Sequence, residues 1–207
     1  MKGYWINHVL EIRDEQRFAD YVAASKPLLQ GNNAYGAELK LFGAVSETVQ
    51  GDPAQFAALV EFDSIGAAID FWEDEEYAAA RALMGSTEDE TPVVDRRVCC
   101  IEAEPLQIRS GQSFWLNHVH EILDENAFFA YADASMKHFS GTIFGPVVHQ
   151  HAGQQPIKMA AALGFATADQ ADTIYRTQGY QEALAAGGMT DGESQVVKRT
   201  ICAIKAE

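Results

Sequence analysis

The chain has 207 residues, with 15 basic and 30 acidic side chains and a formal charge of −15 at neutral pH. That charge would be repelled by a phosphate backbone and by an anionic lipid surface, so neither nucleic acid nor a membrane is an expected partner. Apolar runs fall short of the ~20 residues that span a bilayer, and the first residues turn polar at Asn7 and His8, too early for a signal peptide. Three cysteines, two of them adjacent at Cys99 and Cys100, are too few for a disulfide framework. A reduced, cytoplasmic setting is expected.

Residues 4–12 alternate and are rich in Val, Ile and aromatics, which predicts a strand. Asp14 is a helix N-cap, and Phe18, Tyr21, Val22, Leu28 and Leu29 follow at helical spacing. Two strands, at about 37–49 and 56–62, flank the turn Gln50-Gly51-Asp52-Pro53. Ser64 caps a second helix carrying Ile65, Ala68, Ile69 and Trp72, continued over 77–84. The acidic stretch 73–76 reads as a solvated helix start and Glu88-Asp89-Glu90 as an exposed loop. A strand over 93–102 closes the unit.

The pattern then recurs. Residues 4–25 align with 114–135 at a constant offset of 110, with 12 of 22 positions identical. The closing segment 93–104 aligns with 196–207 at an offset of 103, with seven of 12 identical. Two copies of one unit, 1–104 and 113–207, are therefore joined by a polar linker at 105–112. The second copy places elements near 114–122, 125–139, 143–151, 157–165, 168–186 and 195–204. Each copy reads β-α-β-β-α-β, an α+β fold with the ferredoxin-like strand order 4-1-3-2. Gly145-Pro146 in the second strand of copy 2 suits an edge position, since proline donates no ladder hydrogen bond.

The segment Val60-Glu61-Phe62-Asp63-Ser64-Ile65-Gly66-Ala67-Ala68-Ile69-Asp70-Phe71-Trp72, followed by Glu76-Tyr77, resembles the signature of the family called domain of unknown function 1330. The opening strand with Asp14, Phe18 and Tyr21 also fits it. Copy 2 departs from the pattern, with Gly164 for Glu61 and Tyr175 for Trp72, though Phe165 and Tyr180 remain. Where the family usually carries Gly-Gly, copy 1 has Asn32-Asn33. The resemblance implies a dimeric α+β barrel, in which two four-stranded sheets bury their free faces against each other. Relatives in that superfamily include cofactor-free monooxygenases, isomerases, dehydratases and haem-binding enzymes. Here both sheets lie in one chain, an internal pseudo-dimer, and further pairing of chains stays open.

Strand 1 carries the candidate chemistry. Its odd positions, Trp5, Asn7, Val9 and Glu11, recur as Trp115, Asn117, Val119 and Glu121. The even face is the greasier in copy 1, and Ile12 directly precedes the helix. This turns the even face toward the helices and the odd face into the barrel. There Trp5, Asn7, Trp115 and Asn117 would bind substrate, and Glu11 and Glu121, with pKa values raised in a partly apolar cavity, would act as general bases. With the register reversed, the histidines line the barrel and Glu121 is hidden. His8 and His118 recur in both copies and are the first choice for proton transfer.

Copy 2 holds five of the six histidines and copy 1 most of the negative charge, −12 of −15, so copy 2 is where chemistry is expected. His118/His120 and His149/His151 form two His-x-His strand pairs, an alternative site for a divalent transition metal; no cofactor is otherwise expected. Cys99 and Cys202 match across copies and read as small buried hydrophobes. The function expected is acid-base chemistry on a small organic molecule: isomerisation, dehydration or cofactor-free oxygenation. A metal enzyme or a non-catalytic ligand-binding module are the other readings.

Overall fold

A computed structural model describes residues 1–85, 93–189 and 193–206. The loop expected at Glu88-Asp89-Glu90 lies outside the described residues. The first repeat runs β1 (Lys2–Ile12), α1 (Glu15–Ser25), β2 (Glu38–Ala44), β3 (Glu47–Gln50), β4 (Phe56–Phe62), α2 (Ile65–Asp70), α3 (Glu75–Ala82) and β5 (Val94–Ala103). The second runs β6 (Ser113–Ile122), α4 (Glu125–Ser135), β7 (Gly141–Pro146), β8 (His149–Ala152), β9 (Met159–Phe165), α5 (Gln170–Thr173), α6 (Gln178–Ala186), α7 (Glu193–Val196) and β10 (Val197–Lys205). Helix starts follow their caps. Asp14 accepts from the Arg17 backbone N–H and Asp124 from that of Ala127, both at 3.0 Å. Asp74 splits the expected long second helix by capping α3 through the backbone N–H groups of Glu76 and Tyr77.

Two antiparallel sheets result, ordered β2-β4-β1-β5-β8 and β3-β10-β6-β9-β7. Four strands of each follow the expected order, with β2 and the proline-bearing β7 outside β4 and β9. The fifth strand was not foreseen. The segments read as single strands at 37–49 and 143–151 each break in two, and the second piece crosses to the other repeat's sheet. There β3 pairs with β10, and β8 pairs with β5. A short corner makes the switch, with Ser46 N–H bonded to Ala203 O at 2.9 Å and Val148 N–H to Cys100 O at 2.9 Å. Strands that change sheet at corners close a sandwich into a barrel. Glycine makes the turn after β3 possible: Gly51 has φ +85°, and a Cβ there would stand 2.4 Å from Arg199 O.

The space between the sheets is filled by Tyr4, Ile6, Leu59, Cys99 and Ile101 from one repeat and Phe114, Leu116, Ala162, Cys202 and Ile204 from the other. Even positions of β1 therefore face the barrel, and Trp5 and Val9 face the helices, the reverse of the first-choice expectation. The cause is a bulge. In the β1–β5 pairing Val9 sits opposite Arg96 and Glu11 opposite Asp95, so Leu10 is an extra residue. Side-chain parity flips across it. Ile12 does pack under the helices, as expected, but so do odd-numbered Trp5 and Val9 before the bulge. The second repeat has the same bulge at His120.

His8 and His118 meet at the barrel centre, fully buried, with rings stacked at 3.9 Å between centroids. Each Nε2–H donates across to the opposite strand: His8 to Leu116 O at 3.1 Å, His118 to Ile6 O at 3.2 Å. Both Nδ1 atoms are buried without a partner. Burial pulls the His8 pKa down to about 3, against the Leu116 hydrogen bond, and holds His118 well below the ordinary value. Both are neutral in the folded state at pH 7. The unfolded chain binds protons at these sites near pH 6.5 and the folded chain does not, so stability is lost as pH falls below 6.5. We expect a loss of about 1.4 kcal/mol per pH unit per histidine between pH 6 and 5. Urea unfolding at both values should show this dependence, reduced in His8→Gln; an unchanged slope contradicts the buried, neutral pair. Gly51→Ala should lower the unfolding midpoint by the equivalent of about 1–3 kcal/mol through strain at the exchanged strand, read by thermal denaturation.

Candidate active site

A cavity lies on the helix side of the first sheet, beneath α1, and extends around the bulged edge strand β2. Its volume is about 330 Å³, within the range of small-molecule sites. Val9, Val22, Leu29, Leu39 and Val60 supply apolar wall, and Trp5 an aromatic floor. Trp5 is locked by its indole N–H donating to Ala68 O at 2.7 Å, and Trp115 is held likewise by Ala171 O at 2.6 Å.

The polar end is built by three elements. Tyr21 of α1 and Tyr77 of α3 are hydrogen bonded at 2.9 Å, and Arg96 of β5 donates to the Tyr21 hydroxyl at 3.1 Å. Burial and then the neighbouring Tyr21 push the Tyr77 hydroxyl well above its ordinary pKa, so it stays protonated. Burial opposes the charge on Arg96, but the two phenols more than offset it and its pKa is raised. The guanidinium also lies over Trp72, 5.0 Å from the ring, whose indole stacks on His151 at 4.4 Å. Asn7 borders the same cavity, and its side-chain carbonyl oxygen is buried with no hydrogen-bond partner.

Trp5 and Asn7 thus line a cavity as expected, although under the helices rather than in the barrel. Trp115 and Asn117 occupy the matching helix-side face of the second repeat. Glu11 and Glu121 do not join either group. Past the bulge they turn to the surface, where Glu11 pairs with Arg13 at 2.7 Å and Glu121 with Lys198 at 2.8 Å. The Lys198 hydrogen bond lowers the Glu121 pKa, the opposite of the shift expected of a tuned base. His8 and His118 lie on the other side of the sheet from the cavity. The four histidines weighed as metal ligands separate with the exchanged strand: His118 and His120 belong to β6, His149 and His151 to β8 in the other sheet. His151 packs on Trp72 and His120 bonds Pro156 O and Thr200. Among the described residues no three His, Cys, Asp or Glu side chains are grouped to hold a metal.

Sequence reading passed over Arg96 and took Tyr21 as packing. A signal existed. Tyr21, Tyr77 and Arg96 all recur, as Tyr131, Tyr180 and Arg199, and the second set is also joined: Tyr131 bonds Tyr180, and Arg199 donates to Tyr131 at 3.0 Å. The repeats differ around that motif. Arg199 is also held by Gln50 of the exchanged β3, at 2.7 Å, and Phe139 stands where the first repeat has Leu29, packed on Trp115 and Phe165. The Tyr–Tyr–Arg group of copy 1 borders the cavity, whereas in copy 2, where chemistry was expected, the matching arginine is also held by Gln50.

The model of the domain of unknown function DUF1330 matches residues 2–95, within the first repeat. No curated protein matches the sequence. Two solved structures share the fold, a dimeric α+β barrel. One is an anthrone oxidase-like protein, at 14% identity and TM-score 0.59, covering all of this chain and 91% of its own. The other is a candidate monooxygenase from Lactobacillus acidophilus NCFM, at 14% identity and TM-score 0.54, covering 98% of this chain and 92% of its own. No helix among the described residues is long and apolar enough to cross a membrane.

Asn7 and Asn117 give a test of the asymmetry. Each leaves a buried carbonyl oxygen unpaired, so Asn7→Leu and Asn117→Leu should each stabilise the fold by about 1 kcal/mol. Aromatic ligand binding, followed by calorimetry, should be lost in Asn7→Leu alone. Equal loss in Asn117→Leu would place the working site in both repeats.

Proposed function

We propose that the protein is an enzyme acting by acid-base chemistry on a small aromatic molecule held in the first repeat. The observation that carries this reading is the joining, in one largely apolar cavity, of an unpartnered amide carbonyl with a Tyr–Tyr–Arg hydrogen-bond group. Such a pocket orients a ligand by a few polar contacts against a greasy wall. Isomerisation, dehydration and cofactor-free oxygenation share a first step, removal of a proton from an O–H or from a C–H beside a carbonyl. For this step Tyr21 acts in its phenolate form, accepting from the Tyr77 hydroxyl and the Arg96 guanidinium; it takes the substrate proton to become the phenol, and Arg96 faces the enolate or phenolate that forms. Asn7 Oδ1 accepts from a substrate hydroxyl and fixes its direction.

The two solved neighbours, an anthrone oxidase-like protein and a candidate monooxygenase, favour oxygenation among the three, with molecular oxygen as the oxidant. Anthrone, a polycyclic carbon acid, is the probe. The wild-type protein should accelerate its conversion to anthraquinone with matching oxygen uptake, and Tyr21→Phe should lower kcat about 10²-fold. Absence of both binding and acceleration across anthrone and simple naphthols would contradict the reading; turnover undiminished in Tyr21→Phe would remove the proton-transfer role.

A further inference from the structure

The charge of the cavity departs from that of the chain. Acidic side chains outnumber basic ones two to one overall, yet among the described residues the cavity wall carries Lys26, Lys40, Arg96 and Lys205 and no Asp or Glu. Lys40 is matched by Glu38 at 3.2 Å, and Lys205 by Asp169 and Asp172 at 3.1 and 3.5 Å. Arg96 has no carboxylate within 4 Å among the described residues; its donors meet phenol oxygens and the face of Trp72. A partly buried cation with no paired carboxylate, set in low-dielectric surroundings, holds its field on whatever fills the cavity. A guanidinium recognises carboxylate or phenolate better than any neutral group.

Position adds a second requirement. Val98 lies directly opposite Asn7, and Arg96 lies two residues along the same strand. Asn7 and Arg96 are therefore diagonal neighbours on the helix face of adjacent strands, their Cα atoms roughly 7–8 Å apart, and both line the cavity. The unpaired acceptor stands at one end and the cation at the other.

Building on the aromatic-substrate reading above, we propose that the bound species is an aromatic anion, a carboxylate or phenolate seated on Arg96, that also carries a hydroxyl donor facing Asn7. Anion selection separates this class from neutral polycyclics of the same shape. It also assigns Lys26, which has no carboxylate partner among the described residues, to steering rather than to contact with the reacting atoms.

The experiment compares 6-hydroxy-2-naphthoate with 6-hydroxy-2-naphthamide, its neutral isostere, by calorimetry at pH 7. The acid should bind at least tenfold more tightly. Arg96→Gln should lower the affinity for the acid to that for the amide, and Arg96→Lys should restore part of the difference. Equal affinities in the wild type would overturn the anion assignment while leaving the aromatic pocket standing. Failure of both ligands to bind would overturn the pocket reading and the inference with it. Because the deciding comparison uses the wild-type chain, it does not depend on how well the variants fold.

Discussion

Both faces of each sheet must be buried, and the fold follows from how that demand is met. Helices cover one face of each sheet. The other face carries Tyr4, Ile6 and Leu59, or Phe114, Leu116 and Ala162, which no element of the same repeat covers. Each repeat is the other's missing layer, and the tandem arrangement places both layers in one chain. The stacked His8/His118 pair marks the seam: each imidazole donates across it to a strand of the opposite repeat. Such buried, neutral groups tie the two halves together and hold the seam dry.

Strand exchange reinforces the seam and also distinguishes the two helix-side faces. A segment that leaves its own sheet lands beside the polar group of the other repeat. In one direction it delivers Gln50 to Arg199; in the other it delivers His151 to the ring of Trp72, behind Arg96. The same Tyr–Tyr–Arg motif is thereby given different surroundings. Phe139, at the position of Leu29, packs on Trp115 and Phe165 in the second repeat. Duplication has kept the motif in both halves and left the cavity described here in the half that carries most of the negative charge.

Much of this was legible in the sequence. Alternation, capping residues and the internal match placed six of the ten strands among the described residues, since they rest on local pattern and on repetition. What was not legible has physical causes. Strand 1 is apolar on both faces, so parity alone could not orient it, and the one residue used to decide, Ile12, lies beyond a bulge that reverses parity. The bulge leaves no mark in composition: Leu10 occupies it in one repeat and His120 in the other. The sheet switch after Ala44 and after Pro146 depends on tertiary pairing, for which residues 37–49 and 143–151 offer only continuous β-prone sequence. Asn33, where the family usually has glycine, was readable only as a departure; its side chain in fact bonds Leu28 O and the backbone N–H groups of Tyr35 and Ala37, closing the same turn by other means. Asn7, a matched polar position, and Tyr21, read only as one of the residues at helical spacing, border the same cavity.

The central claim is that small aromatic ligands enter the helix-side face of the first repeat and not the barrel or the second repeat. Three tryptophans report on it directly, since Trp5 lines the cavity, Trp72 backs it and Trp115 sits on the matching face of the second repeat. Titration of 6-hydroxy-2-naphthoate into 15N-labelled protein, followed through the three indole N–H resonances, should shift Trp5 strongly and Trp72 less, with Trp115 unmoved. A shift of Trp115 equal to or larger than that of Trp5 would contradict the account.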